Sequence, residues 1–467
     1  MISITTLTLL IGSSLQSNKN FLQKTLAELN SGQNGKFSCT TAIDRWKAGP
    51  DQYQSIFNSA KTEWVDTQFP ADSTSIQWVK QFSADTLNNY KNAKWVKLGQ
   101  AFPTGSLFGS QNYLSDVDMG ILNDGYVLGG AIAVAKDEER FKKVFVNTQK
   151  NLAGAYGFNI WVRGIPTIQV INDNVPYDNL KNDLIFADIG SDGSYWVPLL
   201  EKAWAKTLGN YEQVGLDGNA SDIISYLTNV PITTYNTANY QASSIFEIID
   251  SANDQNYIIT AQTLKSKICP LNLICGQTYA IINTVALDQK QNFAKDINLI
   301  QLKSIQKTDG KFQGKWNDDS ALWTKSTETY TKQAKLDKKD DGVFWIEDQE
   351  FITAFGFVQV GAYRPSWKFS WYSQIGDLGN VGYYFFSLDS PQNLDIKIDF
   401  YNPNMYPISC RDSPLQFKAT VTLRSSGAAK VLHQSITKNY FDIQSVVSFP
   451  TSPLPAGKYK VDIQVDW

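Results

Sequence analysis

Residues 195–206 read Tyr195-Trp196-Val197-Pro198-Leu199-Leu200-Glu201-Lys202-Ala203-Trp204-Ala205-Lys206, and Gly209-Asn210-Tyr211-Glu212 follows. Trp196 to Leu208 carries helical spacing, with Leu199, Leu200, Ala203 and Trp204 on one stripe suited to a core. Upstream, residues 18–60 are polar and helical, with Phe21, Leu22, Leu26 and Leu29 in phase. A second helix is predicted within 120–150, starting behind Asn123-Asp124 as a cap and running through Ala131, Ile132, Val134 and Ala135. Residues 158–172 alternate, are rich in β-branched and aromatic types, and end at the turn Asn172-Asp173-Asn174.

Beyond about residue 225 strands dominate. Candidates are Asn256–Ala261, Gln277–Thr284 and Asn298–Lys303, and the charged stretch Lys332–Asp341 reads as a solvated loop or helix surface. After about residue 365 helical periodicity stops. Short alternating runs recur at Gly382–Leu388, Leu394–Tyr401, Gln416–Leu423 and Lys458–Val465, separated by turns such as Asn402-Pro403-Asn404 and Pro455-Ala456-Gly457. That pattern predicts an antiparallel β-sandwich of roughly 100 residues.

The chain has 467 residues, enough for about two to four domains. Apolar residues make up 42% and aromatics 13%, which supports a large core and excludes wholesale disorder. A net charge of −3 and a pI near 5.5 give no basic face for nucleic acid. No apolar run is long enough for a membrane-spanning helix.

Met1 to Ser17 is apolar and ends in small residues. A short secretory leader fits that length, but no Lys or Arg precedes the apolar run, and a strand or helix packed on the body fits as well. The four cysteines, Cys39, Cys269, Cys275 and Cys410, suit two disulfides in a secreted chain or four buried thiols inside a cell. Cys269 and Cys275 are close enough to close a short loop, and Asn219-Ala220-Ser221 is a glycosylation acceptor only in a secreted chain. The compartment stays open, with intracellular residence slightly favoured over secretion.

Several segments, in order across residues 60–360, resemble the calpain family. Phe69-Pro70-Ala71-Asp72 with Trp78 looks like its entry segment, and Asn159-Ile160-Trp161 with Ile168 to Pro176 like its strand pair. Tyr195 to Glu212 is very similar to the family's "FW-x-x-LLEKAYAK-x-x-GSYE" run, about a dozen residues in register. Gly314 to Ser320 with Trp323, and Gly342 to Trp345, match two further segments. The resemblance implies an α+β fold: a calpain-type, papain-like protease core of two subdomains followed by an antiparallel β-sandwich. The expected divisions are an N-terminal segment 1–60, with 1–17 as the leader candidate; core subdomains 61–225 and 226–364; and a sandwich 365–467.

Calpains are cysteine proteases, whose chemistry needs a thiolate, an imidazole base, an Asn that orients it and a Gln donor for the oxyanion. The family's Q-G-x-x-G-D-C-W stretch corresponds to Met119-Gly120-Ile121-Leu122-Asn123-Asp124-Gly125-Tyr126. Gly125 thus stands at the nucleophile and Met119 at the oxyanion Gln. G-H-A-Y-S corresponds to Gly276-Gln277-Thr278-Tyr279-Ala280, which puts Gln277 at the base, and R-N-P-W-G to Lys303-Ser304-Ile305-Gln306, which puts Ser304 at the Asn. The single histidine, His433, lies in the expected sandwich.

The expectation is therefore a pseudoprotease acting as a binding or scaffold subunit, with protein partners or a larger assembly. Gly125 would leave room at a helix N-terminus for a peptide carboxylate or carbonyl. The alternative is an active calcium-dependent calpain-like endopeptidase with an unrecognised nucleophile, for which Cys275 is the candidate. Calcium is the family's activator. Asp116, Asp318 and Asp341 fall at its acidic positions, while Lys311 and Val343 replace two expected Glu ligands. No EF-hand loop is present.

Overall fold

The computed structural model describes residues 3–11, 50–59, 62–76, 93–109, 117–162, 164–216, 218–287, 297–306, 308, 312–324, 339–376, 381–399, 418–426, 431–436 and 444–466. Helices and antiparallel strands are both present, giving an α+β chain in two compact units. One comprises Lys47–Ile160 and Ile168–Tyr363; the other comprises Met1–Trp46, Trp161–Thr167 and Arg364–Trp467. The first sixty residues are divided between the two: the strand Ser3–Ile11 belongs to one and the helix Pro50–Ser59 to the other.

The larger unit is built on a six-stranded antiparallel sheet. Its order is Val343–Glu347, Ile297–Lys303, Thr278–Leu287, Ile258–Thr263, Phe355–Gly361, Ile232–Asn236. The helix Ala242–Asp254 turns Ile245, Phe246, Ile249 and Ala252 into a core with Ile259, Ile281, Ile300, Phe344 and Val358 of the strands. Those helical residues recur three to four positions apart, so one stripe is buried. The helix Gly125–Ala135 is buried along its whole length. A side chain on Gly129 would stand 2.6 Å from Thr278 Cγ2, so this glycine lets the helix lie close on the Thr278–Leu287 strand.

The signature helix Trp196–Leu208 is buried all round rather than along the expected stripe. Its charged residues are inside because each finds partners. Lys206 Nζ bonds Asp66 Oδ2 at 2.7 Å and the Val170 carbonyl at 2.7 Å. Lys202 Nζ donates to the carbonyls of Asn172 (2.9 Å) and Asn174 (2.5 Å) and to Asn172 Oδ1 (2.5 Å). Lys202 thus fastens the turn at 172–174 to the helix and Lys206 fastens Asp66 and the strand at Val170, and burial pushes the Lys202 ammonium down to about 7.

The smaller unit holds two four-stranded antiparallel sheets. One runs Lys368–Gly376, Ser3–Ile11, Gln392–Asp399, Gln444–Leu454; the other runs Val381–Leu388, Gly457–Asp466, Lys418–Ser425, Val431–Ile436. Alternate residues Leu394, Ile396 and Ile398 of the first sheet share one core with Val421, Leu423, Val461 and Ile463 of the second. Most of the leader candidate is the strand Ser3–Ile11, which sits between two partners, with Leu9 opposite both Ser370 and Ile396. In the larger unit, Asn219 caps the helix Ala220–Thr228 and also accepts from Gln359 Nε2 at 2.6 Å, so the acceptor sequon is occupied by helix capping. Trp78, Cys39, Cys410, the expected helix at 18–49, the turn Asn402-Pro403-Asn404 and most of Lys332–Asp341 lie outside the described residues.

Candidate functional site

Gln277 immediately precedes the strand Thr278–Leu287, and its backbone is fixed by Thr263. The Gln277 N–H donates to Thr263 Oγ1 at 2.9 Å, and the Thr263 N–H donates to the Gln277 carbonyl at 3.0 Å. Gly276, at φ +69°, turns the chain out of the loop closed by the Cys269–Cys275 disulfide, whose Cα atoms are 5.4 Å apart. That turn aims the Gln277 side chain at the first residue of the Gly125–Ala135 helix. A Cβ placed on Gly125 would lie 1.8 Å from Gln277 Nε2 and 2.7 Å from its Cδ. The room expected at Gly125 is therefore already taken: the Gln277 amide fills the volume that a side chain at residue 125 would occupy.

Ser304 follows the strand Ile297–Lys303, whose last residue pairs with Ala280, so it adjoins the strand that carries Gln277. It is buried, but its hydroxyl accepts from the Gln306 N–H (3.2 Å) and its N–H donates to the Gly342 carbonyl (2.7 Å). The hydroxyl serves its own turn. Met119 is half-buried on the loop before the helix, and a thioether supplies no donor. Of the four positions, the structure brings Gly125 and Gln277 into contact, with Ser304 on the adjoining strand. Cys275 is bonded to Cys269. His433 is exposed in the other unit, its ring 5.7 Å from that of Phe449.

The sequence pointed to Asp124 as a helix cap. It stands at the cap position, but its side chain makes no capping bond. Asp124 is fully buried, no donor group reaches either carboxylate oxygen, and its partner is the carboxyl of Glu201 from the signature helix. Glu201 also accepts from the Ala187 N–H at 3.2 Å. Two carboxylates bond only by sharing a proton. Desolvation, then mutual repulsion, holds Glu201 well above the usual range, and desolvation pushes Asp124 up to about 7. This pair was not legible in the sequence, because the partners lie 77 positions apart (201 − 124) on two different helices.

The native chain thus retains a proton at Asp124 that the unfolded chain releases near pH 4. Stability from this group is present below pH 4 and is lost as pH rises through about 7. Asp124→Asn is expected to flatten the fall in stability between pH 4 and 7 by up to about 1.4 kcal/mol per pH unit relative to the parent. Urea unfolding at several pH values checks it, and parallel curves for the two proteins would contradict it.

The calcium candidates gather no ligand set in the described residues, where no three His, Cys, Asp or Glu side chains converge. Asp341 Oδ1 accepts from the Val343 N–H (3.0 Å), and the Asp341 carbonyl accepts from Lys303 Nζ (2.8 Å). An ammonium already stands at the Asp341 carbonyl, where a divalent cation would need a free oxygen ligand, so Asp341 as placed does not fit the ion. Asp318 lies half-buried in the turn after Trp316. Asp116 and Lys311 lie outside the described residues.

Residues 64–362 match the family profile described as calpain family cysteine protease. The chain is similar to Calpain-B of Drosophila melanogaster, 24% identical over 331 residues that cover 67% of this chain and 34% of the relative. It is 24% identical over 309 residues to the Calpain-1 catalytic subunit of Rattus norvegicus, covering 64% of this chain and 42% of the relative. Calpain-5 of Caenorhabditis elegans is 24% identical over 340 residues, covering 65% of this chain and 51% of the relative. The chain therefore spans about a third to a half of the length of these curated relatives.

Proposed function

The chain belongs to the calpain family of cysteine proteases, and from that premise we propose that it is a catalytically inactive member, a pseudoprotease that works by holding a protein partner or by serving as a scaffold subunit. In this reading a papain-like core of two subdomains is followed by an antiparallel β-sandwich. The observation that carries it is the Gln277 amide seated on Gly125, where a thiol would have to stand. An amide side chain takes no proton near neutral pH, and a glycine offers no nucleophile. Ser304 orients nothing on residue 277, and Met119 donates nothing, so each part of the relay is absent. What persists is the scaffold: the buried Glu201, Lys202 and Lys206 still bind the elements around the old site.

The endopeptidase alternative needs a thiolate with a base. Cys275, its candidate, is tied to Cys269. A chloromethyl ketone or epoxide trap, applied to reduced full-length chain with calcium present, is expected to label no cysteine faster than it labels the unfolded chain. Rapid stoichiometric labelling at one cysteine, mapped by mass spectrometry, would sink the pseudoprotease reading.

A further inference from the structure

The Cys269–Cys275 disulfide stands just upstream of Gln277, and nothing in the proposed function uses it. Its two ends are six positions apart, so the cross-link removes little entropy from the unfolded chain. Against that small gain stands a strained backbone. Leu271 and Asn272, consecutive and inside the ring, are held at φ +59° and +60°. The left-handed region is costly for any residue with a side chain, and most of all for a bulky one such as leucine. A short ring that stores such strain is opened readily by a thiol.

Access to the two sulfurs is uneven. Residues 264–268 are exposed throughout, Ile268 to 86%. Cys269 is buried, whereas Cys275 is half-buried. An attacking thiolate therefore reaches Cys275 Sγ, and Cys269 is the leaving group. Partners for the reduced pair are already in place. The Leu264 carbonyl lies 3.4 Å from Cys269 Sγ, and Ser266 Oγ lies 3.7 Å from Cys269 Sγ and 3.6 Å from Cys275 Sγ. Residues 264–276 include Lys265 and Lys267 and no Asp or Glu, so the segment attracts an anion.

We propose that Cys269–Cys275 is a thiol–disulfide exchange site for an anionic thiol of the glutathione class, and that its redox state sets how firmly Gln277 is held on Gly125. One thiolate attacks Cys275 Sγ, forms a mixed disulfide there and expels the Cys269 thiolate. A second thiolate attacks the reductant's sulfur in that mixed disulfide, releases the Cys275 thiolate and departs as the oxidised reductant. Solvent protonates both released thiolates, so the chain gains two electrons and two protons.

The coupling to Gln277 runs through Thr263. Its Oγ1 donates to the Ile274 carbonyl at 2.6 Å and accepts from the Gln277 N–H at 2.9 Å. The Gly276 N–H donates to the Leu264 carbonyl at 3.1 Å. The closed ring holds Ile274 and Gly276 in place for these bonds. Once it opens, Leu271 leaves the left-handed region, the two bonds loosen, and the hold on Gln277 weakens with them. The inference goes beyond the pseudoprotease reading and does not depend on it.

The test exposes folded full-length chain to millimolar reduced glutathione, followed by acid quenching, alkylation and peptide mapping. The bond is expected to open without urea, with early glutathione on Cys275 in roughly tenfold excess over Cys269. Hydrogen exchange over residues 274–279 should then rise roughly tenfold while residues 297–303 stay unchanged. Cys269→Ser, which opens the ring without any reductant, should show the same rise. Lys265→Gln combined with Lys267→Gln should slow reduction roughly threefold at low salt and not in molar salt. A bond that opens only in urea, glutathione gathered equally on Cys269, or unchanged exchange over residues 274–279 would overturn the proposal. Equal rates for the parent and the double lysine variant at low salt would overturn the preference for an anionic thiol.

Discussion

Lys206→Ala is expected to lower the stability of the larger unit by about 3–5 kcal/mol, the usual consequence of removing one partner from a buried ion pair. The Lys206 and Asp66 side chains are 3% and 1% exposed and 2.7 Å apart. Without the ammonium, the Asp66 carboxylate stays buried on two backbone donors, the N–H groups of Gln68 and Phe69. The Val170 carbonyl also loses its partner. Adding Asp66→Asn should return part of the loss, because a neutral amide costs far less to bury than a lone charge. Urea unfolding followed by tryptophan fluorescence reads both variants. A loss below about 1 kcal/mol for Lys206→Ala would mean that the pair is solvated.

The second large effect concerns the contact between Gly125 and Gln277. Gly125→Ala puts a methyl where Gln277 Nε2 lies. Overpacking of that kind costs about 1–3 kcal/mol, against a gain of at most about 1 kcal/mol for replacing a helical glycine. The loss wins because the Gln277 amide, although the far end of a flexible side chain, is itself buried and has little room to swing away. Gln277→Ala in the same chain should remove the clash, giving a coupling of about 0.5–3 kcal/mol in a double-mutant cycle. Additive losses would show that the two residues do not touch.

Much of the larger unit could be read from local pattern. The strands placed at 256–261, 277–284 and 298–303 are observed at Ile258–Thr263, Thr278–Leu287 and Ile297–Lys303, with no end shifted by more than three residues. Continuous apolar and β-branched composition carries such runs, which are buried along most of their length, whereas their ends depend on the tertiary partner. The signature helix was placed correctly, but its polar residues were not expected inside. Glu201, Lys202 and Lys206 find partners 14 to 140 positions away, beyond the reach of helical periodicity.

The resemblance marked Met119, Gly125, Gln277 and Ser304 as the candidate site, since motif register needs only the sequence. The filling of Gly125 by Gln277 was not legible, because it joins residues of a helix and a strand through a side-chain rotamer. Asp124 misled for a related reason. Aspartate before a helix is a good cap by type, and only the buried Glu201 turns it elsewhere.

Peptidase activity of the wild-type chain tests the central claim most directly. Full-length protein, reduced, with and without millimolar calcium, would be incubated with a fluorogenic peptide and with denatured casein, beside an active calpain as control. The expected result is no calcium-dependent cleavage above a heat-denatured sample, because neither a nucleophile at residue 125 nor a base at residue 277 is present. Calcium-dependent turnover that survives Gly125→Ala and is abolished by Cys275→Ser would contradict it, and would place the chemistry on Cys275 instead.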